Sequence, residues 1–475
     1  MGVCARILVS VMAAGAVAGC AAVTEEAGFG DVRQTVAERT GEDIRWRQGT
    51  AEDRALDEAV AKLLADGLTA DEAVQVALLN NRRLQATYQD LGVAQAALVQ
   101  AGLLANPIFD AAVMFPLTGG APDLELSVVQ DFLGIFYLPL RTRVAESEFD
   151  ATKHRVAGAV IDLAGRTRAA FYRAQADVQQ LELREQVTRA TAVSLEAMQR
   201  LRAAGNVTRL DVDNEQALHE RARLDLAAGE AGVLASRERL NRLMGLWGAE
   251  TEWAVAPRLP DLPDTETDLE TVERRAVEAS LDLAAMRSEL EAFGRQLGLT
   301  EASALLPFAD AGAAAERDDR DWNVGPVLAL PIPLFDLGQA RVATAQAEFR
   351  RRHQRYWALA VEIRSATRAA REDLRAARDM ARHYRDVMLP LSERIVEETQ
   401  KRYNAMQLGV FQLLLAKQQQ IATGAAYIEA LRAYWVARAE LDQILQGRLS
   451  DMAPEIDARA GASMSPGMAR PGADG

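Results

Sequence analysis

"QRLRAAGNVTRLDVDNEQALHE", residues 199–220, interrupts a segment that has no proline between Pro139 and Pro257. Charged and apolar residues repeat on both sides of it, as in a long coiled coil. Gly205 and Asn206 are residue types that end a helix in the left-handed conformation. Thr208 suits the N-cap of a new helix. The stretch therefore predicts a tight turn between two long antiparallel helices. About two hundred residues later, "QKRYNAMQLGVFQL" (400–413) faces "QRLRAAGNVTRLDV" when the sequence is aligned with itself. The hairpin occurs twice.

The self-match extends outward. "SEFDATKHRVAGAVIDLAGRTRAAF" (147–171) faces "AEFRRRHQRYWALAVEIRSATRAAR" (347–371), so that Glu148-Phe149 meets Glu348-Phe349 and Thr167-Arg168-Ala169-Ala170 meets Thr367-Arg368-Ala369-Ala370. Such a duplication sets the architecture before any local reading. Each half opens with a helix, over 68–102 and 268–302. Thr69 and Glu72 form a candidate capping box at the first. Two short extended segments follow. Phe109, Ala111, Val113 and Phe115 share one face, and so do Leu124, Leu126 and Val128, while "PLTGGAPD" (116–123) supplies a turn. In the second half Trp322, Val324, Pro326, Leu328 and Leu330 alternate after the polar loop "ERDDRD" (316–321). Pro326 and Pro331 are awkward in a central strand. Segments of this length can cross a bilayer as tilted strands or form a small soluble sheet.

A long helix from 140 to about 204 and a return helix complete each half. After the first turn, Leu210, Ala217, Leu224 and Ala231 repeat in heptads. Val212, Leu226, Val233 and Leu240 form a second series, which His219 interrupts. The second half carries Leu414, Ile421, Ile428 and Trp435, beside Leu413, Tyr427, Tyr434 and Leu441. A two-stranded coil needs one seam. Two seams suit a helix between two neighbours, in a ring or a plain bundle.

The chain has 475 residues, 49% of them hydrophobic and 26% charged, as expected of a folded protein. A net charge of −14 argues against a nucleic-acid partner. Two cysteines, Cys4 and Cys20, allow neither a disulfide framework nor a CxxC metal site. The histidines, His154, His219, His353 and His383, are scattered along the predicted helices. No catalytic motif appears, so no catalytic residue, metal site or cofactor is expected. Residues 1–20, "MGVCARILVSVMAAGAVAGC", contain an apolar run from Ile7 to Val17, too short to span a bilayer. Val17-Ala18-Gly19-Cys20 resembles the bacterial lipobox, which implies a signal over 1–19 and a lipidated Cys20. Ala21-Ala22, with no Asp at the second mature position, implies sorting to the outer membrane.

Five stretches, in this order and duplicated, resemble the outer-membrane factor (TolC) family of efflux and secretion channels over about 68–448. "LTADEAVQVALLNNRRLQ" resembles its opening helix, "GLLANPIFD" (102–110) the lead into its first strand, and "RAAGNVTRLDVDNEQ" its periplasmic hairpin tip. "LNRLMGL" (240–246) resembles the end of the first helical repeat, and "LALPIPLFDLGQARVATAQAEF" (328–349) the strand-to-helix junction. The resemblance implies a mainly α protein with a small β part. Its homotrimer would close a twelve-stranded outer-membrane β-barrel, continuous with a periplasmic α-helical barrel. The implied partners are a second and third copy, a periplasmic adaptor, an inner-membrane pump and outer-membrane lipid. The implied function is a passive exit duct for metal ions or drugs, with a type I secretion channel or a coiled-coil scaffold lipoprotein as the alternatives. "RYNAMQLGVFQLL" (402–414) resembles variants in metal-linked, especially copper-linked, members.

The expected organisation is an N-terminal lipid-anchored extension (20–67), a first repeat (68–246), a connecting segment (247–267), a second repeat (268–448) and a disordered tail (449–475). The tips, Gly205, Asn206, Val207, Thr208, Met406, Gln407, Leu408 and Gly409, would contact the adaptor. Asp211 and Asp213 are the candidate acids for narrowing the pore, although the family's aspartate ring has no clear match.

Overall fold

The structure is a computed structural model. It describes residues 24–449, apart from 25, 51, 66, 116, 118–121, 257, 267–268 and 319–320. The expected signal, Cys20 and the tail beyond 449 lie outside the described residues. Two helices precede the first repeat, α1 (Phe29–Thr40) and α2 (Glu52–Ala65). The repeat contains α3 (Ala70–Asn80), α4 (Arg82–Ala101), β1 (Ile108–Met114), β2 (Asp123–Asp131), α5 (Leu133–Ala203) and α6 (Arg209–Met244). The second repeat follows the same order with α7 (Val272–Ala279), α8 (Leu281–Ala302), β3 (Asp310–Asp318), β4 (Asp321–Ala329), α9 (Gln339–His383), α10 (Leu389–Asn404) and α11 (Val410–Leu445). None of the described helices is long and apolar enough to cross a membrane.

The opening helix of each repeat is broken, against the expectation of one continuous element. Asn81 and Ser280 are extended, and each side chain accepts the backbone N–H three residues on, at Leu84 and Leu283. The local cap ends one helix and starts the next. Both breaks receive the far end of their own repeat. Asn80 donates to the Met244 and Gly245 carbonyls, and Asn81 to that of Leu243. Gly245 sits at φ 72°, and a Cβ there would press on the Asn80 carbonyl at 2.8 Å. In the second repeat Leu281 donates its N–H to the Gly447 carbonyl. "LNNRR" and "LNRLMGL", far apart in sequence, are two halves of one joint.

α5 has 71 residues, about 107 Å at 1.5 Å per residue. It begins earlier than the sequence predicts and takes Pro139 in its second turn, just past the first four residues whose N–H groups have no acceptor within the helix. Asp131 accepts the Gly134 N–H at this end. The second descending helix is different. A π turn at Tyr384–Met388 separates α9 from α10, and Pro390 follows at once. α5 packs against α6 on one side and α11 on the other, and α11 packs against α9 and α10. The helices thus form one curved layer, with α6 at one edge and α9–α10 at the other.

A belt crosses the middle of this layer. α1, α3 and α4 bury Val36, Val74, Leu78, Tyr88 and Leu91 against Val156, Val160, Ile161 and Phe171 of α5. The connecting segment buries Leu259 and Leu262 against Leu374 of α9 and Tyr434 of α11. Glu266, only 8% exposed, accepts from Tyr434 Oη at 2.5 Å and Arg438 at 2.7 Å. Arg39 of α1 donates to the Ala279 and Gln446 carbonyls, so the N-terminal extension ties two helix ends of the second repeat.

Candidate functional site

The four strands form one antiparallel sheet in the order β1-β2-β3-β4. β1 and β4 are its edges, and the central pair joins the two repeats. The register puts the carboxylates of the strands on one face. Phe109 faces Val128, Val128 faces Ala313, and Ala313 faces Pro326. Val113, Leu124, Leu126, Ala311, Ala315, Val324 and Leu328 lie on that same face, with Trp322 and Arg317 at its far end. The other face carries Asp110, Glu125, Ser127, Glu316 and Asn323. One side is therefore largely apolar, with Gln130 and Arg317 on it, and the other carries the acids among Ile108, Met114, Val129 and Val327. Nine residues at about 3.3 Å each reach about 30 Å. A tilt of about 40° reduces that to about 23 Å, close to the apolar band of a membrane barrel.

β3 and β4 refine the expectation for the second half. β3 runs through Asp318, so most of "ERDDRD" belongs to the ends of the two strands. Pro326 is tolerated because β4 is an edge. Sequence reasoning missed β3, "DAGAAAERD", whose alanines have weak strand propensity. The available signal was its repeat partner β2.

Both edges of the molecule are apolar and uncovered. On α6, Leu210, Leu224 and Leu234 are exposed, although Leu210 and Leu224 begin one of the predicted heptad stripes. On the opposite edge Val387, Leu391 and Ile395 are exposed. Where the strands meet the helices, Ile332, Leu334 and Phe335 are exposed as well. The two edges are different surfaces.

At the first tip Gly205 adopts φ 77°. Asn206 donates its N–H to the Leu201 carbonyl, and Gly205 to that of Arg202. Thr208 caps α6 in a full capping box with Asp211. The hydroxyl and N–H of Thr208 hold the Asp211 carboxyl below its ordinary range. Asp213 pairs with Arg209 at 3.7 Å. The structure commits Asp211 to the cap in the first turn of α6 and places Asp213 just beyond that turn. At the second tip Met406 takes the left-handed position at φ 58°, and Gln407 donates to the Arg402 carbonyl. Gly409 is the N-cap of α11 and offers no side chain. Met406 is 95% exposed, while Val207 and Leu408 are partly covered. No group of His, Cys, Asp and Glu suited to a metal ion occurs among the described residues.

No family model matches the sequence. The cobalt-zinc-cadmium resistance protein CzcC of Cupriavidus metallidurans is 23% identical over 388 residues, which cover 80% of this chain and 90% of that protein. The Campylobacter jejuni CmeC outer membrane channel superposes with a TM-score of 0.69 at 13% identity, covering 88% of this chain and 92% of that one. The outer membrane protein VceC of Vibrio cholerae superposes with a TM-score of 0.66 at 15% identity, covering 80% and 97%. The duplicated hairpins, the two-faced sheet and these superpositions agree: the chain has the outer-membrane factor fold.

Proposed function

We propose that three copies of this chain form the outer-membrane exit duct of a tripartite efflux system. The observation that carries the reading is the four-stranded sheet, with one largely apolar face, one acidic face and two unpaired edges. Open strand edges are not tolerated in lipid, so one protomer cannot insert alone. Three supply twelve strands, an even number in the usual range. The apolar face then meets hydrocarbon, and the acidic face lines the water-filled passage. The helical layer extends the passage through the periplasm.

In this reading the chain is a passive conduit, and an inner-membrane pump supplies the energy. A periplasmic adaptor meets the six hairpin tips, through Val207, Met406 and Leu408. The relative named for cobalt, zinc and cadmium resistance favours divalent metal ions as cargo. Cys20 carries the lipid anchor. The scaffold alternative has no use for a sheet with a lipid-facing side. The test is reconstitution of the purified full chain into a planar bilayer. Crosslinked trimers and stepwise conductance are expected; a protein that crosslinks at another stoichiometry or never conducts overturns the reading.

A further inference from the structure

The belt covers only one side of α5. α1, α3 and α4 rest on Val156, Val160, Ala164 and Phe171. Positions 162, 166, 169 and 173 fall about half a turn away from these at 100° per residue. There α5 forms the floor of an open cavity of about 950 Å³. Arg83 enters from the start of α4, Arg239 and Arg242 from the end of α6, and Glu440 from α11.

Positive charge dominates the lining. Arg166 and Arg173 contribute two more guanidiniums, against the carboxylates of Asp162 and Glu440. Arg166 has Asp162 at 3.4 Å and Arg173 has Glu440 at 3.8 Å. Asp162 is shared with Gln443. Arg83, Arg239 and Arg242 make no ion pair or side-chain hydrogen bond among the described residues. Burial, and then the charge of Arg239, hold the Arg173 guanidinium below the usual arginine range. In a chain of net charge −14, this concentration of unpaired arginine is local.

We propose that this cavity binds a polyvalent oxyanion, a phosphate-type or polycarboxylate group gripped by Arg83, Arg239 and Arg242. Guanidinium forks match such anions two oxygens at a time. An anion there offsets the mutual repulsion of Arg173 and Arg239. The binding itself needs no channel. That the site faces the passage rests on the function proposed above; α4 of the belt forms one wall of it, through Arg83, Leu84 and Thr87. A hydrated divalent cation finds no ligand set in this lining. Along one passage the strand end would then attract cations and the middle would hold anions.

The test is calorimetric titration of the full chain in detergent at low salt, with pyrophosphate and, separately, with citrate. Saturable binding of at least one is expected, weakened about tenfold or more in R83Q/R239Q/R242Q. The corresponding triple lysine variant keeps the charge and loses the fork, so it should bind with intermediate strength. Binding of pyrophosphate alone assigns phosphate groups, and binding of citrate alone assigns carboxylates. If the triple glutamine variant does not fold, R239Q carries the same expectation with a smaller loss. Equal binding in the wild type and these glutamine variants, or no binding of either anion, overturns the proposal. So does a triple glutamine variant that folds but loses its oligomer while the lysine variant keeps it; the arginines would then serve acidic side chains of a second copy.

Discussion

Met406 stands in the second hairpin where Gly205 stands in the first, and both adopt the left-handed backbone, at φ 58° and 77°. The helix-ending bonds around them correspond as well, from Asn206 to Leu201 and from Gln407 to Arg402. A side chain in this conformation costs about 1–2 kcal/mol. Met406→Gly should therefore stabilise the second tip by about 1 kcal/mol, and Gly205→Val should destabilise the first by at least as much. Hydrogen exchange at the two turns measures both. If Met406→Gly leaves protection there unchanged or lower, the strain assignment is wrong.

Function and stability should part company at Met406. If its exposed side chain meets the adaptor, Met406→Gly should weaken export while stabilising the turn. Val207→Asp and Leu408→Asp should weaken export more, with trimer yield and membrane level unchanged. Export that survives all three changes would remove the tips from the docking surface.

The first tip should also respond to acid. Asp211 has a depressed folded-state pKa, caused first by the hydrogen bond from the Thr208 side chain. A depressed carboxyl contributes stability above its unfolded value, near pH 3.9, and loses it as pH falls through the lower folded value. The first tip should fray below about pH 4. The second, which has no side-chain cap, should respond less, through the Glu397–Lys401 pair alone. Exchange rates compared at pH 3 and 6 would show the difference, and equal responses would refute it.

Glu266 joins the connecting segment to α11 through Tyr434 and Arg438. Glu266→Ala removes the 2.7 Å carboxylate partner of a half-buried guanidinium that also bonds Asp442. We expect a loss of about 2–3 kcal/mol and faster trypsin cleavage at Arg258. An unchanged melting temperature with unchanged cleavage would make this contact dispensable.

The mature N-terminus gives a further check. Mass spectrometry should find acyl chains on Cys20, as its lipobox-like setting predicts. An unmodified terminus elsewhere would remove the lipid anchor from the account.

The hairpins and the first strands were legible because their signals are local. Gly205, Asn206 and Thr208 spell a turn, and Phe109, Ala111 and Val113 alternate along β1. The helix breaks at Asn81 and Ser280 were hidden because apolar periodicity continues across them, although both are good capping residues. β3 was hidden for another reason: its alanines become strand only when β2 and β4 pair with them. The arginine cavity draws on α4, α5, α6 and α11, so no window of sequence contains it. The left-handed Met406 was legible only through its repeat partner.

The central pairing of the sheet sets the order of assembly. Val128 of the first repeat lies beside Ala313 of the second, with a whole helical hairpin of chain between them. Contacts this distant in sequence carry a large loop-closure cost and form slowly. β2 must wait for β3 to be synthesised before its second edge is paired. Until then β2 is an open edge, and Phe109, Val113 and Val128 stay exposed to water even after the pairing. If the chain inserts as proposed, a protein truncated before residue 310 should be degraded rather than inserted.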